Sequence, residues 1–244
     1  MELQFLGSGD AFGSGGRFNT CFLVRDRQGA FLIDCGASSM VALRKFGVDP
    51  NEIRAVMVSH LHGDHFGGLP FFILDAQLVS RRTTPLVVAG PPGLGTRLAA
   101  AMETFFPGSS RVERRFTLEV REMQVGETSN IEGADVTPYL MKHPCGAPPF
   151  ALRIGVDGKV ICYSGDTEWV EALGDAARGA DLFVAEAYFR DKKVKFHLDY
   201  ETLVAHLPAI GARRVILTHM SPDMLGCREA FACEAAEDGM VVSI

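Results

Sequence analysis

The chain has 244 residues, 47% hydrophobic and 22% charged, with a formal net charge of −6. That length and apolar share support a full globular core, expected as a single domain over residues 1–244, and exclude a disordered or low-complexity chain. An acidic balance argues against a long nucleic-acid partner, which asks for a basic face, but leaves a small phosphorylated substrate open. No apolar run reaches the roughly 18 residues of a bilayer span. The best stretch, 69–79, is interrupted by Pro70, Asp75 and Gln77. The first residues lack a basic segment ahead of their glycines, so no secretory signal and no membrane association are expected, and the protein is read as cytoplasmic. Six cysteines with no Cys-x-x-Cys pair are read as mostly buried small hydrophobes.

In chain order, residues 2–6 read as a strand running into a loop with Gly7, Gly9, Gly13, Gly15 and Gly16. Residues 20–25 and 30–34 are β-rich and are separated by Asp26-Arg27-Gln28-Gly29, a hairpin signal. Ser38 or Ser39 can cap a helix that stops at Gly47. Residues 54–59 form a short apolar strand that enters His60 directly. A helix is expected over 69–79, a strand over 85–89, and a helix over 93–106 ended by Pro107-Gly108. Strands over 115–121 and 135–142 follow. Residues 150–156 and 159–163 flank Asp157-Gly158, a two-residue hairpin turn. The remainder reads as a helix over 168–178, a strand over 181–185, a helix over 200–208 capped near Asp199, a strand over 213–217, a helix over 225–237 and a last strand over 240–244. Strands interleaved with helices imply a layered α/β architecture, and the early hairpins imply mixed sheets.

Ser59-His60-Leu61-His62-Gly63-Asp64-His65 is the strongest local signal. Three of the chain's seven histidines and a carboxylate fall in six consecutive positions after an apolar strand. Imidazole and carboxylate suit Zn²⁺, Mn²⁺ or Fe²⁺. Alternation puts His60 and His62 on one side of an extended chain, within reach of one ion, while Asp64 and His65 turn toward a second. Gly63 is expected to permit the bend, and Gly67-Gly68 to continue it. A polar loop with ordinary, satisfied histidines is the bland alternative.

This motif resembles the His-x-His-x-Asp-His metal motif of the metallo-β-lactamase superfamily. The family's further ligands, a His, an Asp and a His at strand ends, have counterparts in order. His143 follows the strand over 135–142, Asp166 lies in Tyr163-Ser164-Gly165-Asp166-Thr167, and His219 lies in Leu217-Thr218-His219-Met220. The resemblance implies an α/β fold, the family's αβ/βα sandwich of two mixed β-sheets flanked by helices. It also implies two divalent metal ions, with Zn²⁺ the first choice and Mn²⁺ or Fe²⁺ the alternatives. His60, His62 and His143 would bind the first, Asp64, His65 and His219 the second, and Asp166 would bridge them.

Further segments resemble the ribonuclease Z-type phosphodiesterases of that superfamily. These are Leu6-Gly7-Ser8-Gly9-Asp10-Ala11 with Arg17-Phe18-Asn19-Thr20, the Ser164-Gly165-Asp166-Thr167 run, Ala185-Glu186-Ala187, and His197 in Phe196-His197-Leu198-Asp199-Tyr200. The resemblance implies that Asp64, His197 and Glu186 carry catalysis. His197, paired with Glu186, would donate a proton or hydrogen bond to the phosphodiester oxygens; the alternative is a helix-start histidine packed on Tyr200. Two departures stand out. Leu198 and Asp199 replace the Ser or Thr that usually follow this histidine. The segment from His143 to Asp166 holds only Pro144-Cys145-Gly146-Ala147-Pro148-Pro149 and one hairpin, with no room for the glycine- and proline-rich arm of tRNA-processing members.

The expected activity is therefore hydrolysis of a small or cyclic phosphodiester, with water activated between the metals as nucleophile. The alternatives are a lactonase- or thioesterase-type acyl hydrolase on the same centre, tRNA 3′ processing, or a non-catalytic metal-binding protein. A small phosphorylated substrate is the expected partner, and a homodimer is a possible assembly. Cys145 is read as a packed thiol rather than a redox group, and Trp169 and Phe189 as packing rather than pocket residues. The clusters Arg81-Arg82, Arg111–Arg115 and Lys192-Lys193-Lys195 are read as solvated faces, the last close enough to His197 to meet a substrate phosphate.

Overall fold

Several strands are apolar along their whole length, the pattern of a strand covered on both faces. Leu86–Gly90 is an example, and Ile53–Met57 departs from it only at Arg54. The computed structural model describes residues 1–227 and 231–244. Its first half runs β1 (Glu2–Gly7), β2 (Cys21–Asp26), β3 (Gly29–Ile33), α1 (Ser39–Lys45), β4 (Ile53–Met57), α2 (Gly63–Phe66), α3 (Leu69–Leu78), β5 (Leu86–Gly90), α4 (Leu94–Phe105) and β6 (Leu118–Glu122). The second runs β7 (Ser129–Ile131), β8 (Ala134–Leu140), β9 (Phe150–Val156), β10 (Lys159–Tyr163), α5 (Glu171–Ala177), β11 (Leu182–Glu186), α6 (Tyr200–Ile210), β12 (Val215–Thr218), α7 (Pro222–Leu225), β13 (Glu234–Ala235) and β14 (Val241–Ser243).

Among the described residues these strands form two seven-stranded sheets, ordered β14-β1-β2-β3-β4-β5-β6 and β13-β12-β11-β10-β9-β8-β7. Both are mixed: β1, β2 and β3 pair antiparallel while β3 to β6 are parallel, and β7 to β10 pair antiparallel while β10 to β13 are parallel. Period-two alternation sorts the side chains into three layers. Phe5, Phe22, Phe31, Met57, Phe150, Leu152 and Tyr163 fill the space between the sheets. Leu23, Leu32, Val56 and Val88 face outward against Leu43, Phe72, Leu98 and Met102 of α1, α3 and α4. Ala151, Cys162, Phe183 and Leu217 face outward against Leu173, Ala176 and Leu203 of α5 and α6. This is the αβ/βα sandwich. Four of the six cysteines are buried in it.

Three expectations need correction. The helix expected over 225–237 is absent where the structure describes it, and residues 228–230 lie outside the described residues. α7 stops at Leu225, and Glu234–Ala235 instead extends the second sheet beside β12; sheet pairing overrides local propensity. The helix expected from Glu168 starts at Glu171, because Glu168 is held by Lys142 and by the Phe196 N–H, and Val170 is extended. α6 runs through Pro208 to Ile210 and ends on a left-handed Gly211 (φ 63°), whose N–H donates to Leu207 O at 3.0 Å. The short β7 carried no periodicity of its own and was not foreseen. No helix among the described residues is long and apolar enough to cross a membrane.

Candidate metal centre

In an open α/β sheet the carboxyl ends of the strands are where side chains and loops converge on a ligand. Here β3, β4, β8, β10, β11 and β12 end at one rim of the sandwich. They are followed by Asp34, by His60, by His143, by Asp166, by Ala187 directly after Glu186, and by His219. His60 to His62 continue β4 in extended form, and α2 then carries Asp64 and His65 on a single helical turn capped by His62 (φ −79°, ψ 154°). The bend does not need Gly63: a Cβ there would meet nothing within 4 Å, and its φ is not positive. Gly67 and Gly68 are the constrained ones, since a Cβ would sit 2.5 Å from Gly63 O at the first and 2.2 Å from Gly36 O at the second. Gly165, before Asp166, has φ +59°, and its Cβ would lie 2.5 Å from Phe150 O. A side chain at Gly68 or Gly165 would collide with these backbone carbonyls.

The donor atoms gather in two groups. His60, His62 and His143 form one; Asp64, His65, Asp166 and His219 form the other; within each, the atoms lie within 4.8 Å of one another, and Asp166 and His219 lie equally close to Glu186 and His197 in a third cluster. Asp166 sits between them. Its Oδ1 is 3.3 Å from His65 Nε2, and its Oδ2 is 3.4 Å from His219 Nε2 and 3.9 Å from both His60 Nε2 and His143 Nε2. His143 Nε2 faces His62 Nδ1 at 2.9 Å, and His219 Nε2 lies 3.2 Å from Asp64 Oδ2.

The outer nitrogens of three of these rings are tied down, which leaves their inner ones facing the centre. His143 Nδ1–H donates to Phe196 O at 2.9 Å. His65 Nδ1–H donates to Asp34 Oδ2 at 2.7 Å. Ser59 Oγ–H donates to the same Asp34 oxygen at 2.7 Å and accepts from His60 Nδ1 at 3.1 Å. Asp34, wholly buried, therefore orients two histidines, the arrangement that holds ligating imidazoles in the correct tautomer. Sequence reasoning missed Asp34 and Ser59. The available signal was an acid directly after the apolar strand ending Leu32-Ile33.

The set fits a cation on two counts. His60 Nε2, His65 Nε2 and Asp166 Oδ1 are buried and make no hydrogen bond, although charged or polar neighbours stand beside each. Orphan buried polar atoms cost about 1–3 kcal/mol each, and three in one place are paid for only by a shared partner. The charge balance points the same way. Burial by itself would lower the His219 pKa, yet the Asp166 and Asp64 carboxylates raise it to about 10. Burial opposes the charged form of His65 as well, and Asp166 and Asp64 still hold it well above the ordinary imidazole range. The carboxylates demand positive charge at this spot, which protons on the histidines or metal ions can supply.

A second buried carboxylate organises the adjoining wall. Glu186 Oε2 accepts from Thr167 N–H at 2.9 Å and Leu198 N–H at 3.3 Å, and its Oε1 accepts from His197 Nδ1–H. His197 stays partly exposed, its ring stacked on Tyr188 with centroids 4.7 Å apart. Burial works against the protonated form of His197, but the Glu186 bond and charge win and raise its pKa. Leu198 is buried, and Asp199 caps α6 through Thr202 N–H at 2.9 Å, so neither is free to reach a phosphate.

Asp10, Ala11, Phe12, His62, Asp64, His143, Asp166, Tyr188, His197 and His219 enclose a cleft of about 220 Å³. Trp169 and Phe189 stand outside it. The Trp169 ring packs edge-on to His206, and Phe189 packs against Tyr188. The Cys145 thiol is buried and donates to Ala147 O at 3.0 Å. One of the expected solvated clusters is misread: Arg82 is buried and its guanidinium donates to the carbonyls of Pro50, Ile53, Thr84 and Pro85, tying loops together. Lys193 and Lys195 line a groove that also touches His197.

The model of the family described as Anti-Pycsar protein Apyc1 matches residues 1–237. The chain belongs to this family. A ribonuclease Z of Exiguobacterium sp. (strain AT1b) is 29% identical over 295 aligned positions, covering 98% of this chain and 94% of the relative. Human tRNase Z, short form, superposes with a TM-score of 0.81 at 26% identity, covering 100% of this chain and 99% of that one. The metallo-β-lactamase fold protein YhfI from Bacillus subtilis superposes at 0.78 with 18% identity, over 99% of each chain, and shares the fold. This Apyc1-family chain is thus a ribonuclease Z-like member of the metallo-β-lactamase superfamily, a metal-dependent hydrolase of the phosphodiester-acting kind.

Proposed function

We propose that this Apyc1-family protein hydrolyses a small or cyclic phosphodiester at a centre of two divalent cations, Zn²⁺ in the first instance. His60, His62 and His143 would hold one cation, Asp64, His65 and His219 the other, with Asp166 shared. When bound, the cations polarise the phosphate and lower the pKa of water so that hydroxide is available near neutral pH. The chain's own residues supply the rest. Asp34 and Phe196 O keep the imidazoles oriented. Glu186 keeps Nδ1 of His197 occupied, so that the opposite nitrogen of a protonated ring can give its proton to the departing oxygen. The raised pKa of His197 keeps that proton present over a wider range than a free imidazole would.

The observation that carries this reading is that the Glu186-supported His197 and both ligand groups face one cleft of about 220 Å³. Ligand pockets usually measure about 300–1,000 Å³, so this cleft suits a phosphate and its immediate substituents. The size argument against tRNA agrees. The Exiguobacterium relative aligns over 295 positions against 244 residues here, so it carries segments that this chain lacks. Between His143 and Asp166 this chain has only a short loop and the β9–β10 hairpin. The test is to compare kcat/KM on a 3′,5′-cyclic nucleotide, an aryl phosphodiester, a simple lactone and a precursor tRNA at low and moderate salt. The cyclic nucleotide and aryl diester should be cleaved best. Preference for the lactone would make the protein an acyl hydrolase. Efficient, strongly salt-sensitive tRNA trimming would restore an RNA substrate.

A further inference from the structure

Phe12 is the most exposed large hydrophobic among the described residues, at 84%, and it lines the mouth of the metal-centre cleft. A phenylalanine held in water forfeits the burial that normally fixes its position. Here the backbone fixes it instead. Buried Asp10 accepts from Phe12 N–H at 3.2 Å and Ser14 N–H at 2.9 Å on one oxygen, and from Ser14 Oγ–H at 2.7 Å on the other. Asn19 Nδ2–H donates to Asp10 O at 2.9 Å, and Gly13, Gly15 and Gly16 take left-handed φ of 66°, 68° and 75°. The loop is therefore set before any ligand arrives, and little entropy is left to lose on binding. The ring has no aromatic partner among the described residues. The other aromatic at the cleft, Tyr188, is already stacked on His197.

The cleft accommodates a phosphate and little more, so whatever the phosphate carries must leave by the mouth, past Phe12. An aromatic presented on a rigid loop offers a stacking face for a flat heterocycle, independent of which base it is. We propose that Phe12 is a specificity-determining residue, a platform on which the nucleobase of a cyclic nucleotide stacks while its phosphate lies at the metal centre. This rests on the phosphodiesterase reading above and adds to it the residue that meets the base.

The experiment uses the full, metal-reconstituted chain with a 3′,5′-cyclic nucleotide and the corresponding base-free ribose 3′,5′-cyclic phosphate, which has the same reacting group. Phe12→Ala should lower the preference for the nucleotide over the base-free compound by about tenfold or more, mostly through KM, in line with the usual worth of base–aromatic stacking. Phe12→Trp should keep the preference. Phe105→Ala, which removes another exposed phenylalanine remote from the cleft, should not change it. Calorimetric binding of a nucleoside 5′-monophosphate, which involves no turnover, should weaken in Phe12→Ala by a similar factor. Equal effects on both cyclic phosphates, or none on either, would overturn the proposal. So would loss of an oligomer in Phe12→Ala, which would make Phe12 a contact between copies of the chain. Failure of the phosphodiesterase reading shows separately, as a wild-type protein that turns over neither compound.

Discussion

From the first sheet, four candidate ligands arrive on one six-residue segment, His60 to His65; from the second, His143, Asp166, Glu186, His197 and His219 arrive from separate strand ends and loops. The first group is bound to be close, because an extended step and one helical turn leave the side chains nowhere else to go. The second group is close only because β8, β10, β11 and β12 end at the same rim. The two halves are also supported differently. A single buried carboxylate, Asp34, orients two histidines of the first. In the second, Glu186 orients His197 and braces the backbone of Thr167 and Leu198. Where the candidate ligands are contiguous, orientation is what the protein must add; where they are dispersed, it must add position as well.

Substitutions can break this comparison in order of expected effect. The largest is Asp166→Ala, at the point where the halves meet. Activity should vanish, and metal analysis of protein purified without chelator should show both ions reduced from a stoichiometry near two. Retention of both ions would separate the halves and remove the bridge. His219→Ala, one step away, should deplete mainly one ion.

Next, His197→Ala should lower turnover by about 10²–10⁴-fold, the usual worth of a positioned acid, with metal content intact. Metal loss in that variant would move His197 into the ligand set, and unchanged turnover would leave it a packing residue on Tyr188. Asp34→Asn, on the first-sheet side, should weaken metal affinity by about 10–100-fold, as loss of an outer partner of a ligating histidine does. Titration with a competing chelator measures it, and wild-type affinity would show that the contiguous segment orients itself. The smallest effect is expected at Asp199→Ala. It removes the cap of α6 and should cost about 1 kcal/mol of unfolding free energy in urea, with little change in metal content. A large loss of metal would mean that α6 helps to hold the second half of the centre in place.

The amino-acid sequence by itself determined the layered α/β class, most strands to within a few residues, and the contiguous candidate ligands, because period-two alternation and a dense His/Asp segment are local properties. His143, Asp166 and His219 were legible only through resemblance, since each stands alone among ordinary neighbours in the chain. Asp34, Ser59 and the true role of Arg82 were not legible at all: a buried acid or arginine looks like a surface one until its partners, tens of residues away, are brought against it. Propensity over residues 225–237 pointed to a helix, whereas the open edge of β12 recruited Glu234–Ala235 as a strand. Phe12 carries no local signal in its glycine-rich loop, and only the tertiary structure set it at the mouth of the cleft. Which strand ends share a rim, and what lies beside them, is decided by long-range pairing between the sheets, a property that no local window of the chain contains.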